Sequence, residues 1–157
     1  MSAITLRRAW PEDAAGLNAG LRALSQSMGD MHRADDGQIA RALGGACQAV
    51  LAEAGDDLAG AALFSPLFST TRGMAGAYVS DLWVGPGWRG AGLGQRLLAA
   101  VRDEAAHEWD AGFLRLGVYA DNAGARRLYA RLGFVEAANE HYLTLSGPAL
   151  AALKGEK

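Results

Sequence analysis

Apolar and polar residues alternate over Ile4–Arg8, which predicts a short strand. The period then lengthens. Leu17, Leu21 and Leu24 recur at helical spacing behind Pro11, Glu12 and Asp13, which suit a first turn, so a helix is predicted to about Ser27. The polar stretch Gly29–Asp36 reads as a loop, followed by a short helix over Gln38–Leu43. Two apolar runs, Ala46–Glu53 and Leu58–Leu63, flank Ala54-Gly-Asp-Asp57, a hairpin signal. Ser65–Gly76, with Pro66, Ser69, Thr70, Thr71 and Gly73, reads as a loop. Ala77–Val84, rich in β-branched and aromatic residues, is the strongest strand. Beyond it Leu93, Leu97, Val101, Ala105 and Trp109 fall at every fourth position, a helix starting near Gly92 and ended by Gly112. Phe113–Tyr119 reads as a strand, and Asn122–Leu132 as a helix stopped by Gly133. Phe134–Ala137 and His141–Leu145 read as closing strands.

Strands and helices mix without strict βαβ alternation, and several strands are hairpin-linked. That predicts a mixed α/β fold with a mostly antiparallel sheet. The 157 residues suit a single domain, assigned to residues 1–147, with 148–157 as a tail forming a short helix or fraying. A net charge of −2 and the absence of a basic run argue against nucleic acid as a partner. Cys47, the sole cysteine, excludes an intrachain disulfide and a cysteine-based zinc cluster, and no metal is expected. In a strand it reads as a small buried hydrophobe rather than a nucleophile. With no signal-like start and no apolar run of spanning length, a cytoplasmic protein without a membrane partner is expected. The abundance of Ala and Gly is read as compositional bias.

The glycine-rich segment after Val84 carries two overlapping registers. Gly85, Gly87 and Gly90 spell the letter pattern of a dinucleotide-binding turn. Arg89, Gly92 and Gly94 spell that of a loop for the pyrophosphate of an acyl-CoA. Both put phosphate on a helix N-terminus. The dinucleotide fingerprint needs an acidic residue about 20 positions on, at the end of the second strand. Here that strand ends too late, at Tyr119–Asp121, and Asp110 precedes it. The second register has what it needs: Gly92 and Gly94 clear the approach, N–H groups from Gly90 to Gln95 meet the anion, and Arg89 adds charge at the entrance.

Two motifs then act together. Tyr78-VSDLWVGPGWRGAGLGQRLL-Leu98 and Tyr119-ADNAGARRLYARLGF-Phe134 resemble, in order and spacing, those of the GNAT superfamily of acyl-CoA-dependent N-acetyltransferases. The second carries Asn122, Ala125, Tyr129, Gly133 and Phe134 in the family's pattern. The resemblance implies a sheet splayed between the strands at Ala77–Val84 and Phe113–Tyr119, with acetyl-CoA in the opening. Its pantetheine would bond the backbone of Leu82, Trp83 and Val84. Its pyrophosphate would sit on Arg89, Gly90, Ala91, Gly92, Leu93, Gly94 and Gln95. Asn122, Ala125 and Tyr129 would line its far side. The strand most resembles that of polyamine acetyltransferases, although Ser80 stands where those enzymes have a glutamate.

The activity so implied is direct transfer of an acetyl group to a primary amine, on a small molecule or on a protein or peptide. An alkylamine is mostly protonated at neutral pH, so a base or a water chain must take its proton. Candidates are Asp81, placed by alternation opposite Ser80 and Leu82, a water held by Ser80 or Tyr78, and His32 in the Gly29–Asp36 loop. Asp30, Asp35 and Asp36 can attract a cation. Backbone N–H groups at Leu82–Val84 can hold the oxyanion, and Tyr129 is the family-position acid for the leaving thiolate. Trp83 either shapes the acceptor pocket or packs under a helix. The alternatives are a non-catalytic acyl-CoA-binding module of the same fold and, more remotely, a nicotinamide-dinucleotide binder. A homodimer through the C-terminal strands is a further expectation.

Overall fold

The N-terminal strand β1 (Ile4–Arg8) pairs antiparallel with β2 (Gln48–Ala54), placing Ile4 opposite Ala54. This computed structural model describes residues 3–155, and the chain divides after Tyr119 into two compact units. In the first unit β2, β3 (Asp57–Ser69), β4 (Met74–Val84) and β5 (Leu114–Leu116) continue the sheet in the order β1-β2-β3-β4-β5. Three pairings are antiparallel, and β4 with β5 is parallel, so the sheet is mostly antiparallel as expected.

Helices cover both faces. On one lie α1 (Ala14–Ser27), entered through a 3₁₀ turn at Pro11–Asp13, and α2 (Asp36–Leu43). Leu17, Leu21, Ile39 and Leu43 pack there on Ala49, Leu51 and Ala61. On the other lies α3 (Leu93–Trp109), whose Trp109 meets Phe64 edge-on and whose Leu93 and Leu97 crowd Gly60. Covered twice, β2 is buried at nearly every position, whereas the edge strand β1 alternates. The Ala and Gly residues of the central strands are therefore packing residues rather than mere bias. Ala49, Ala52, Ala59, Ala61 and Ala62 are fully buried, and a Cβ on Gly60 would lie 2.8 Å from the Trp83 carbonyl oxygen.

Several boundaries differ from the sequence reading. Ser65–Gly76 is mostly strand: β3 and β4 form a long hairpin whose turn is only residues 70–73, and Pro66 pairs with Ala77. Gly73, at φ +66°, turns the chain. Helix α3 stops at Asp110, in the left-handed region at φ 54°, not at Gly112. Strand β5 is three residues long, not seven. In the second unit, α4 (Ala123–Arg131) and α5 (Gly147–Ala151) are helical. The strands expected at Phe134–Ala137 and His141–Leu145 are not formed; Val135 and Leu143 are exposed, so the apolar pattern there lacks the partner strand that would convert it into sheet. Of the expected tail, Glu156 and Lys157 lie outside the described residues.

Candidate active site

Strand β4 changes character half way. Up to Val79 it is paired on both sides, with Ala77 opposite Leu114 and Val79 opposite Leu116. From Ser80 to Val84 it pairs only with β3. About 15 Å of strand edge is thereby left without a neighbour strand in this unit. The sheet is splayed where the two family motifs required it.

The bend has a local cause. Val79 faces Phe64 and Asp81 faces Leu63, so Ser80 is an extra residue, a β-bulge, and its hydroxyl donates to the Leu63 carbonyl at 3.3 Å. The bulge also reverses the side-chain alternation beyond it. Val79 shares the α3 face with Phe64. Without the bulge, Asp81 would lie there too. With it, Asp81 lies opposite Leu63, which packs on the α1–α2 side, and Trp83 stacks against Gly20 of α1, where a Cβ would come within 2.9 Å. The expected separation of Ser80 from Asp81 therefore fails, while Leu82 remains on the other face. Trp83 packs on a helix.

Burial pushes the Asp81 carboxyl above the usual carboxylate range; a hydrogen bond with Ser80 and the charge of His32 pull it partly back. Cys47 lies close enough that burial, then the Asp81 charge, push its thiol up, which disfavours the thiolate. Tyr78 reaches over β5, its hydroxyl 3.8 Å from where a Gly117 Cβ would stand.

The loop after β4 leads into a helix start without a side-chain cap. Gly85 closes the strand by donating to the Ala59 carbonyl at 2.8 Å. Arg89 is tethered by its Nε to the Val84 carbonyl at 3.1 Å, while its side chain stays exposed. Gly90 and Gly92 adopt φ +81° and +78°, and Gly92 is the N-cap of α3 with no side chain over it. The first intrahelical bond runs from Arg96 N–H to the Gly92 carbonyl at 3.2 Å. The N–H groups of Leu93, Gly94 and Gln95 precede it and point out of the helix end. With no competing cap, these residues fit a pyrophosphate. Of the dinucleotide register, Gly90 is left-handed while Gly85 and Gly87 are not.

In the second unit, Asn122 is the N-cap of α4, its Oδ1 accepting from Ala125 N–H at 3.2 Å. Ala125 and Tyr129 are half-buried one turn apart, and Tyr129 meets Phe134 edge-on at 5.5 Å between centroids. Burial pushes the Tyr129 phenol up, so it stays protonated at neutral pH.

One residue escaped the sequence reading. Asn18 lies on the apolar face of α1, between Ala14, Leu17 and Leu21, and is fully buried. It holds His32, Ala34 and Asp36 together. A polar residue on an apolar stripe was the available signal. Asp35 caps α2, and Asp30 accepts from the Tyr119 hydroxyl at 2.8 Å.

Solved structures share the fold. A ribosomal-protein-alanine N-acetyltransferase from Brucella melitensis biovar Abortus 2308 superposes with a TM-score of 0.75 at 22% identity, over 90% of this chain and 99% of that one. A predicted acetyltransferase from Clostridium acetobutylicum, solved with acetyl-CoA, gives 0.76 at 18%, over 91% and 97%. An aminoglycoside acetyltransferase from an uncultured soil metagenomic sample, in complex with sisomicin, gives 0.76 at 16%, over 91% and 97%. The profile described as "Acetyltransferase (GNAT) family" matches residues 18–134, more than half of the chain and both motifs. The splayed strand, the uncapped glycine turn and this match make the chain a member of the GNAT acetyltransferase family.

Proposed function

We propose that this protein moves an acetyl group from acetyl-CoA to a primary amine by direct attack. The observation that carries the reading is the unpaired edge of β4 from Ser80 to Val84, running into the left-handed, uncapped start of α3, with the half-buried Asp81 on that edge. Leu82, Trp83 and Val84 hold the pantetheine by their backbone. Arg89, Gly90, Ala91, Gly92, Leu93, Gly94 and Gln95 hold the pyrophosphate, and Asn122, Ala125 and Tyr129 line the far side. Acetyl-CoA supplies the acetyl group activated as a thioester.

Asp81 takes the proton that the ammonium must lose before nitrogen can attack, with Ser80 beside its carboxyl. A backbone N–H in Leu82–Val84 stabilises negative charge on the carbonyl oxygen. As the N–C bond forms and the C–S bond breaks, the Tyr129 phenol gives its proton to the departing sulfur, and the proton that the new amide nitrogen sheds restores the phenol. The acceptor is a small amine or a peptide amino group; similar folds bear names of both kinds. The profile crosses from one unit into the other, which supports one acetyltransferase domain over residues 1–147.

The test is calorimetric titration with acetyl-CoA, joined to thiol release on a panel of primary amines, for the wild type and Tyr129→Phe. The expected result is unchanged binding and turnover lowered about 100-fold. Undiminished turnover would remove Tyr129 as the acid. Binding without turnover on any amine would favour a non-catalytic acyl-CoA module.

A further inference from the structure

The parallel pairing of β4 with β5 ends at Val79 and Leu116. On β4 the direction of each backbone group follows from two bonds. Ala77 N–H donates to the Phe113 carbonyl at 2.9 Å, on the β5 side, and Gly85 N–H donates to the Ala59 carbonyl at 2.8 Å, on the β3 side. Alternation back from Gly85 turns Trp83 N–H to β3, and turns the N–H groups of Leu82 and Val84 to the open edge. The Ser80 bulge lies between, so even positions beyond it face where odd ones did before it. The Val84 carbonyl, on the same side as its N–H, accepts from Arg89 Nε. An open edge of this kind is a template for another strand. Residues 117–119, which follow β5 directly, are the nearest chain able to take it, and they do not pair with it.

Tyr119 is held elsewhere. Its hydroxyl donates to Asp30 Oδ2 at 2.8 Å. Asp30 is a fixed post. It closes α1 in a Schellman turn: Asp30 N–H donates to the Ser25 carbonyl at 2.9 Å and Gly29 N–H to the Gln26 carbonyl at 3.1 Å, with Gly29 at φ +75°. The chain beyond the turn is pinned as well. Ser25 Oγ lies 3.0 Å from His32 Nδ1, and His32 Nε2 lies 2.7 Å from Oδ1 of the fully buried Asn18. Helix α1 lies over β4 with Gly20 against the Trp83 ring, and its C-terminal turn reaches the chain that has left β5. The contacts form a closed circuit: from Val79 to Leu116, along to Tyr119, across to Asp30, and back through α1 to Trp83. The Tyr119–Asp30 bond is an exposed link in it.

Resting on the backbone of β4 as the edge that holds pantetheine, we propose that Asp30 and Tyr119 are positioning residues for acetyl-CoA: their hydrogen bond draws the chain after β5 towards α1 and keeps residues 117–119 off the Leu82 and Val84 N–H groups. Two devices then act on opposite strands. The Ser80 bulge turns β4, and the Asp30 post holds its former neighbour away. An ionised carboxylate suits the post, since a hydroxyl donating to it makes a stronger bond than one donating to a neutral acceptor.

The first readout needs no ligand. Amide hydrogen exchange is followed at Leu82, Trp83 and Val84 in the full chain, for the wild type, Tyr119→Phe and Asp30→Ala. Loss of the strut is expected to slow exchange at Leu82 and Val84 at least about twofold, as residues 117–119 pair with the edge, and to leave Trp83, already turned to β3, unchanged. A bond that only stabilises the fold would do the opposite, since its loss speeds exchange. The second readout is calorimetric titration with acetyl-CoA. Each variant should bind about three- to tenfold more weakly, the double variant no more weakly than either, and Asp30→Asn, which keeps an acceptor oxygen, within about twofold of the wild type. Unchanged or faster exchange at Leu82 and Val84 in either folded variant overturns the proposal, and should one variant not fold, the other decides. Additive losses in the double variant, or an Asp30→Asn as weak as Asp30→Ala, overturn it as well. A wild-type chain that does not bind acetyl-CoA ends the proposed function, while the exchange pattern still reports whether the strut holds the edge open, so the two failures are distinct.

Discussion

Asp81 is a carboxylate that folding makes harder to ionise. Burial raises it above the unfolded value of about 3.9, so the folded chain binds this proton more tightly than the unfolded one. Stability contributed by the protonated form is present at low pH and is lost as pH rises through the folded value. Activity runs the other way, because the base must be ionised. Asp81→Asn should therefore raise the melting temperature at pH 7.5 more than at pH 5, while lowering acetylation about 100-fold. Scanning calorimetry at the two pH values checks the first part; an equal or lower melting temperature at pH 7.5 would show that the carboxylate is not strained by burial. Asp13 is the contrary case. Hydrogen bonds from Arg7 hold it low, and the stability it brings is present above the unfolded value and lost as pH falls through the folded one. At this scale residue types were legible in the sequence, but charge states were not: Asp81 and Asp13 are the same letter, separated by what packs around them.

At the scale of elements the two overlapping glycine registers make different predictions at Gly92 and Gly87. Gly90 and Gly92 are left-handed and a Cβ on either meets nothing within 4 Å, so the cost of a side chain at Gly92 is backbone strain alone. Gly92→Ala should cost about 1–2 kcal/mol of stability and weaken acetyl-CoA binding about tenfold or more, since the N–H groups of the first turn move with the cap. Gly87→Ala, in open space without a left-handed backbone, should change both by less than about 0.5 kcal/mol. Denaturant unfolding and calorimetric titration of the two variants separate the registers; equal effects would mean that the turn holds no anion. The helices α1 and α3 were legible because the 3.6-residue period runs through several turns. The hairpin arms were not. Pro66 and the Ser–Thr cluster look like a loop, yet the outer halves of β3 and β4 pair with each other and override local propensity. The Ser80 bulge left no mark in the sequence, because any residue can be the unpaired one.

For the whole molecule, a ligand that binds only the folded chain must stabilise it. At a hundred times its dissociation constant, acetyl-CoA should add about 2.7 kcal/mol, seen as a rise in melting temperature, and NADH and NADPH should add nothing. The reverse order would overturn the reading of the α3 N-terminus. The sequence by itself determined the mostly antiparallel α/β class, the helix that starts behind the glycine turn and the second motif with Tyr129. Each is a local pattern or a spacing, and those are written along the chain. Only the tertiary structure decided which way Asp81 faces, that a buried Asn18 joins His32, Ala34 and Asp36, and that β4 loses its neighbour after Val79. Those depend on a one-residue register shift and on contacts between segments far apart in sequence. A single unpaired residue inverts every side chain beyond it, and no one-dimensional pattern contains its partner strand.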